Sequence, residues 1–210
     1  GALGSAILET VAERGLGLST FVSAGNRADV SGNDLLQFWH EDDATEVVLL
    51  YLESIGNPRK FSRIARRVSE VKPIVAVKSG RSTQGVPVGH TVRRSSAPQQ
   101  AVDAMFAQAG VIQVDNLDEM FDVAQLLAHQ PLPRGNRIAV VGNSDAVALI
   151  VTDTAKSQGL QVAPPVSLKA SAGAEEFEVA IESTLARPDV DALVVVYTPP
   201  ITTDGDGVAS

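Results

Sequence analysis

One histidine stands in a setting that could support chemistry. His90 follows a glycine inside a long segment, residues 78–97, that is rich in Gly, Ser and Arg and lies between a strand-like run and a helical pattern. Long connections are uncommon in compact domains, and those that occur are often functional. An imidazole nitrogen can take a phosphoryl group when a partner orients the other nitrogen and donors receive the phosphate oxygens. The sequence predicts that this loop carries, or once carried, a phosphorylated histidine.

Two other stretches supply candidates for those supporting roles. The predicted first helix starts with mostly small residues, which would let a phosphate approach the free backbone N–H groups there. The residues concerned are Gly1, Ala2, Leu3, Gly4 and Ser5. Glu53 directly follows an apolar run, residues 46–52, and its carboxylate could orient the imidazole. Plainer interpretations stay open for both: an ordinary helix start, and a charge at the N-terminus of a later helix.

The other polar motifs point to structural roles. His40 and His129 end amphipathic helical patterns, where a cation suits the negative end of the helix dipole. Residues 141–145, Val-Gly-Asn-Ser-Asp, follow a strand as a nucleotide-binding turn would, but without a full glycine fingerprint or a Walker lysine. The remaining charged groups are interpreted as a solvated turn (Asp42, Asp43, Glu46), a helix cap (Glu175, Glu176) and an exposed helix face (Arg63, Arg66, Arg67). No metal site is predicted.

Composition excludes several classes of function. The net charge of −8 argues against a nucleic-acid partner, which would require clustered Lys and Arg. The absence of cysteine excludes disulfides, thiolate metal sites and a cysteine nucleophile, and it is compatible with a cytoplasmic location. No apolar run approaches the roughly 20 residues of a membrane-spanning helix, so no membrane association is expected.

Alternating helix and strand patterns predict an α/β fold with mainly parallel sheets. Predicted strands occupy residues 18–23, 46–52, 74–77, 111–114, 138–142, 160–162 and 190–197; the run 46–52 is expected to be buried on both faces. Predicted helices occupy residues 1–14, 32–40, 58–71, 99–109, 116–129, 144–157 and 174–186. Two prolines and a glycine mark a linker at 131–136. We therefore expect a first domain over 1–130 and a second, incomplete one over 137–210, as in a piece of a longer protein.

These residues together resemble the ligase region of succinyl-CoA synthetase α-subunits and of NDP-forming acyl-CoA synthetases. The matching pieces run in order along the chain: residues 1–9, 23–30 (Ser-Ala-Gly-Asn-Arg-Ala-Asp-Val), 52–53, 78–81 (Lys-Ser-Gly-Arg), 89–90 and 108–117. The resemblance implies two flavodoxin-like domains. It also implies that His90 is the phosphohistidine, that Glu53 pairs with it, and that Gly89 and Thr91 join residues 1–5 around the phosphate.

The resemblance implies a phosphoryl transfer between acyl phosphate and ADP. CoA or acyl-CoA, ATP or ADP and Mg²⁺ would serve the full-length protein, held by an upstream CoA-binding Rossmann domain and an ATP-grasp domain or subunit. The present segment alone is expected to be inactive and to bind none of them tightly; a homo-oligomer stays open. A flavodoxin- or receiver-like domain is a third interpretation, but acidic clusters and flavin-stacking aromatics are lacking.

The sequence departs from the family pattern just after the histidine. Relatives usually carry Thr-Gly or Ala-Gly there, whereas this chain has Thr91-Val92-Arg93-Arg94. Val92 is β-branched and disfavours the positive φ that a tight reversal around a phosphate would need. The same Gly-His-Thr-Val-Arg-Arg-Ser pattern resembles bacterial proteins in which a synthetase-like region is fused to an acetyltransferase. A catalytically degenerate, acyl-CoA-sensing regulatory module is therefore the alternative function.

Overall fold

A computed structural model describes residues 2–24, 30–53, 55–78 and 99–199. The chain divides into two compact units, Gly1–Pro131 and Leu132–Ser210. The first contains α1 (Ala2–Glu13), α2 (Gly32–Glu41), β1 (Val48–Leu52), α3 (Pro58–Ser69), β2 (Ile74–Lys78), α4 (Gln99–Gln108), β3 (Val111–Val114) and α5 (Leu117–His129). The second contains β4 (Arg137–Gly142), α6 (Asp145–Ser157), β5 (Gln161–Val162), β6 (Val166–Ser167), α7 (Ala174–Leu185) and β7 (Ala192–Val196).

The first unit is built on a parallel sheet in the order β1-β2-β3. β2 lies in the middle and is buried on both faces, with exposures of 0% at Ile74, Val75 and Ala76. Continuous apolar runs of this kind are typical of strands that helices cover on both sides. The predicted buried strand at 74–77 is confirmed.

Helices cover this sheet on both faces. One face carries α2, α3 and α4, which meet the sheet through a large apolar cluster that includes Leu36, Ile64 and Phe106. The other face carries α1 and α5, which contribute Val11 and Phe121 to a second cluster. The α/β fold with a parallel sheet that the sequence predicted is confirmed, and each helix places one apolar stripe against the sheet.

Two predictions about the first unit are wrong. Residues 18–23 do not form a strand, although the Ser19 hydroxyl lies 2.7 Å from that of Thr45, just before β1. No backbone ladder joins these described residues to β1, so Leu18 and Phe21 keep 50% and 38% of their surface exposed. The expectation that β1 is buried on both faces is also wrong. β1 is the edge strand of the order β1-β2-β3, and its Tyr51 is 37% exposed.

The second unit contains a smaller parallel sheet around β4. β4 pairs with β5 near its start, with β6 near its end and with β7 along its other side. Its residues Ala139, Val140 and Val141 are fully buried. β6 (Val166–Ser167) was not predicted from the sequence; it is two residues long and follows Pro164 and Pro165.

The second sheet is covered by α6 on one face and α7 on the other. Val140 packs with Ala148 of α6, and Val141 packs with Phe177 of α7. Glu176 accepts a hydrogen bond from the backbone N–H of Gly173 at 2.6 Å, which confirms the predicted cap of that helix. None of the described helices is both long enough and apolar enough to cross a bilayer.

Candidate functional site

The carboxyl ends of β1 and β2 bring two predicted site elements side by side. Leu52 and Lys78, the last residues of the two strands, are paired in the parallel register. Glu53 therefore follows β1 at the same sheet edge at which β2 ends, and residues 79–98 come next in the chain after β2. Ligands of open α/β sheets bind at this edge. The carboxylate of Glu53 is exposed, so it is free to meet a group that this segment carries.

The turn after Glu53 is fixed at several points. Ile55 is 5% exposed and belongs to the apolar cluster that includes Leu36, Ile64 and Phe106. Gly56 adopts a φ of +72°, a left-handed conformation that glycine enters without steric cost. Asn57 caps α3, since its side-chain oxygen accepts a hydrogen bond from the backbone N–H of Lys60 at 3.1 Å. The first turn of α3 contains no acidic residue, so Glu53 is not a capping charge of that helix.

The first turn of α1 contains the other predicted phosphate-binding residues that are described. Leu3 and Ser5 are exposed, and a Cβ atom on Gly4 would lie 3.4 Å from the ring of Phe21. The predicted helix start is confirmed. Among the described residues, no hydrogen bond or ion pair joins this turn to Glu53, so a shared role of the two in phosphate binding stays a prediction.

α1 is held on the sheet by its far end. The guanidinium of Arg14 pairs with Asp122 and lies 4.0 Å from the carboxylate of Asp118, both on α5. The same guanidinium stands 5.7 Å from the centre of the Phe121 ring, within the range of a cation–π contact. These contacts fix the helix without using its first turn.

Several predicted site residues lie outside the described part of the chain. These are Gly1, Gly89, His90 and Thr91, together with the divergent residues Val92, Arg93 and Arg94. Ala2 opens α1, but its side chain is also outside the description. Their roles stay predictions.

Polar residues that were not selected from the sequence follow the carboxyl end of β3. Asn116 accepts a hydrogen bond from the backbone N–H of Glu119 at 2.9 Å, and Glu119 accepts one from the N–H of Asp115 at 2.9 Å. These two hydrogen bonds cap the start of α5 at the same sheet edge as Glu53. The Asn-x-x-Glu spacing at 116–119 is the sequence signal that predicts such a cap.

In the second unit, the turn at 141–145 is a structural junction. The side-chain oxygen of Asn143 accepts from the backbone N–H of Thr198 at 2.8 Å, and its amide donates to the carbonyl of the same residue at 2.9 Å. Asp145 accepts a hydrogen bond from the Ser167 hydroxyl at 2.7 Å. The polar groups of this turn therefore join the carboxyl ends of β4, β6 and β7.

The two other histidines lie where the sequence predicted. His40 is in the last turn of α2, and His129 is the last residue of α5. Asp42, predicted to lie in a turn, accepts hydrogen bonds from the Thr45 hydroxyl at 2.6 Å and the Ala44 N–H at 3.2 Å. The first of these bonds is the main reason that the pKa of Asp42 is below its ordinary value.

Comparisons with known proteins agree with this architecture. Residues 1–127 match the model of the succinyl-CoA ligase-like flavodoxin domain. The chain is 32% identical to the α-subunit of the ADP-forming acetate–CoA ligase I of Pyrococcus furiosus, over 94% of this chain and 47% of that protein. It is 29% identical to the ADP-forming 4-hydroxybutyrate–CoA ligase of Nitrosopumilus maritimus, over all of this chain and 33% of that protein.

Solved structures show the same fold. The apo form of the acetyl-coenzyme A synthetase 1 of Ca. Korarchaeum cryptofilum superposes with a TM-score of 0.86 at 30% identity, over all of this chain and 50% of that one. The present chain thus spans about half or less of the length of these relatives. With 127 residues matched to the family model, the chain belongs to the family of succinyl-CoA ligase-like flavodoxin domains.

Proposed function

We propose that this chain is part of the ligase region of an NDP-forming acyl-CoA synthetase and that His90 is its phosphoryl carrier. The observation that supports this most directly is the pairing of Leu52 with Lys78, which sets Glu53 beside the start of the segment that contains His90. The relatives, which are ADP-forming ligases of acetate and 4-hydroxybutyrate with CoA, support the reaction class.

In the proposed step, an imidazole nitrogen of His90 attacks the phosphorus of an acyl phosphate. The N–P bond forms as the bond from phosphorus to the acyl oxygen breaks, and the carboxylate leaves. Glu53 accepts a hydrogen bond from the other ring N–H and stabilises the positive charge that develops on the ring. ADP then attacks the same phosphorus through a terminal phosphate oxygen, which restores the neutral imidazole and yields ATP.

Backbone donors would receive the phosphate oxygens during both transfers. The N–H groups of residues 1–5 at the start of α1 are the candidates, with Gly89 and Thr91 beside the histidine. CoA, nucleotide and Mg²⁺ would be held by an upstream Rossmann domain and an ATP-grasp domain or subunit. The described residues contain no group of three His, Cys, Asp or Glu side chains suited to a metal ion, so Mg²⁺ is assigned no ligand here.

The test is phosphorylation of the full-length protein by ATP and Mg²⁺. We expect an acid-labile, base-stable phosphate that is lost in His90→Ala and reduced in Glu53→Gln. His129→Ala is the matched control, because that residue ends α5 and should leave labelling unchanged. Equal labelling of the wild type and His90→Ala would contradict the assignment.

A second candidate function is supported by the sequence at 92–94. Val92, Arg93 and Arg94 replace the small residues that usually follow the histidine, and this favours a regulatory module that senses acyl-CoA without phosphoryl transfer. It predicts no label on His90, but an acyl-CoA-dependent change in a fused acetyltransferase. Persistence of that dependence in His90→Ala would favour this function, and its loss would count against it.

A further inference from the structure

An open cavity of about 360 Å³ lies between α2 and α3, and nothing in the proposed function uses it. Its volume falls within the range of small-molecule sites. Two apolar side chains of α3 line it, Ile64 and Val68, and both belong to the core cluster of the first unit. Polar side chains also line it: Gln37, His40 and Glu41 from α2, and Arg63 and Arg67 from α3.

Among the residues that the structure describes, no acidic group pairs with the two arginines of this cavity. Neither guanidinium has a carboxylate within 4.0 Å among the described residues, although Glu41 lines the same cavity. Neighbouring cations on α3 are engaged differently: Lys60 pairs with Asp34 at 3.2 Å, and Arg66 donates to the carbonyl of Gln108 at 3.3 Å. Arg63 and Arg67 are four residues apart on one helix, so their like charges face each other across one turn.

Arg67 makes only one hydrogen bond among the described residues. Its Nε–H donates to Nε2 of His40 at 3.2 Å, which leaves four of the five N–H donors of the guanidinium without a protein acceptor. Because Nε2 accepts this bond, a neutral His40 carries its proton on Nδ1, and that atom is buried without a partner. The guanidinium of Arg67 therefore keeps unused N–H donors at a cavity that Arg63 also lines.

We propose that this cavity binds a small organic anion, whose phosphate or carboxylate group would be held between Arg63 and Arg67. Guanidinium groups match the geometry of such oxyanions through paired N–H donors. An anion would relieve the repulsion between the two arginines and accept hydrogen bonds from their unused N–H groups. The apolar body of the ligand would lie against Ile64 and Val68.

The cavity belongs to the end of the sheet away from Glu53. The ammonium group of Lys72, just before β2, donates to the carbonyls of Trp39 and Asp42 at 2.8 and 2.6 Å, which fixes the end of α2 near the amino ends of the strands. Glu53 follows the carboxyl end of β1. The proposal therefore does not rest on the phosphoryl-transfer function, and either can fail without the other.

Phenyl phosphate is a suitable probe because it combines an oxyanion with a compact apolar body. It would be titrated into the 210-residue chain at constant ionic strength, with phenol as the uncharged comparator. Two local readouts are available: the side-chain resonances of His40, and the fluorescence of Trp39, which is the single tryptophan of the sequence. We expect saturable changes in both with phenyl phosphate and none with phenol.

Substitutions locate the site. Arg63→Ala and Arg67→Ala should each weaken binding by about tenfold or more, because each removes a charge-assisted pair of hydrogen bonds. Arg59→Ala is the matched control: it removes the same charge from the same helix, but the residue does not line the cavity, so affinity should change less than about twofold. Circular dichroism would verify that the variants are folded.

Three outcomes would overturn the proposal. The first is the absence of a saturable response at His40. The second is an equal loss of affinity in Arg59→Ala, which would indicate general attraction to a basic helix rather than a built site. The third is an equal response to phenol, which would indicate an apolar pocket with no role for the arginines.

Discussion

Similar apolar strand sequences are buried to different extents in the two sheets. β2 of the first unit and β7 of the second are both continuous apolar runs, Ile-Val-Ala-Val and Ala-Leu-Val-Val-Val. β2 has a strand on each side, and Val75 is fully buried. β7 pairs with β4 alone among the described strands, and its Val194 and Val195 are 36% and 42% exposed.

The difference shows that burial depends on neighbours rather than on the run itself. Val194 and Val195 are consecutive, so their side chains point to opposite faces of the sheet. α6 packs on β4 and α7 packs on both β4 and β7, yet Val194 and Val195 of the outer strand stay partly exposed. An apolar sequence is thus necessary for a doubly covered strand but does not by itself produce the cover.

A matched pair of substitutions measures this contrast. Val75→Thr and Val195→Thr exchange a methyl group for a hydroxyl at nearly constant volume. We expect Val75→Thr to cost about 1–3 kcal/mol, since the hydroxyl would be buried without a partner in the cluster around Phe121. Val195→Thr should change the free energy of unfolding by less than about 0.5 kcal/mol. Chemical denaturation gives both values, and equal costs would mean that β7 is covered in solution.

β7 approaches Gly142 closely at the end of β4. A Cβ atom on Gly142 would lie 2.8 Å from Cβ of Val196 and 2.9 Å from its backbone oxygen. Gly142→Ala should therefore lower the free energy of unfolding by about 1–3 kcal/mol through overpacking. Gly32→Ala is the control: it is the first residue of α2, and a Cβ there meets nothing within 4 Å. Equal melting temperatures for the two variants would contradict the close approach.

The smallest expected effect concerns the start of β4 and its dependence on pH. Asp191 accepts hydrogen bonds from the backbone N–H, Nε and Nη2 of Arg137 at 3.0, 2.9 and 2.7 Å. The side-chain bonds from Arg137 are the main reason that the pKa of Asp191 falls from 3.8 to about 2. A depressed pKa stabilises the fold above the unfolded-state value, and this stabilisation is lost as the pH falls through the folded-state value.

Asp191→Asn should therefore lower the melting temperature by a constant amount from pH 7 to about pH 5. The difference from the wild type should then shrink as the pH falls from about 4 to about 2. Asp189→Asn is the comparison, because the pair of Asp189 with Arg187 is more exposed and should contribute less. A difference at pH 7 that persists unchanged to pH 2 would show that the charge of Asp191 is not what stabilises this contact.

Most elements of the fold could be predicted from the sequence, and the errors have a common cause. The helix predicted over 116–129 lies at 117–129, and the strand over 111–114 is predicted to the residue. Residues 18–23 were predicted as a short strand but have no ladder, and Tyr51 is exposed where a covering element was assumed. Periodicity reports which residues prefer burial, whereas exposure depends on whether another element arrives.

The candidate site divides in the same way. Glu53 was selected because it follows an apolar strand, and the register of β1 with β2 pairs the preceding residue, Leu52, with Lys78 at the end of β2. The capping group at 115–119 follows a local spacing that the sequence analysis did not use. The cavity between α2 and α3 had no such signal: Arg63 and Arg67 lie on an exposed helix face, as predicted, and only the tertiary structure brings His40 of another helix against Arg67.

The sequence by itself determined the order of the helices and strands, the identity of the buried strand β2 and the position of Glu53 at a strand end, since these depend on local spacing. Only the tertiary structure decided that β7 is half exposed, that Gly142 must lack a side chain and that two arginines share a cavity with a histidine. These features depend on contacts between residues far apart in the chain, and no local pattern encodes such contacts.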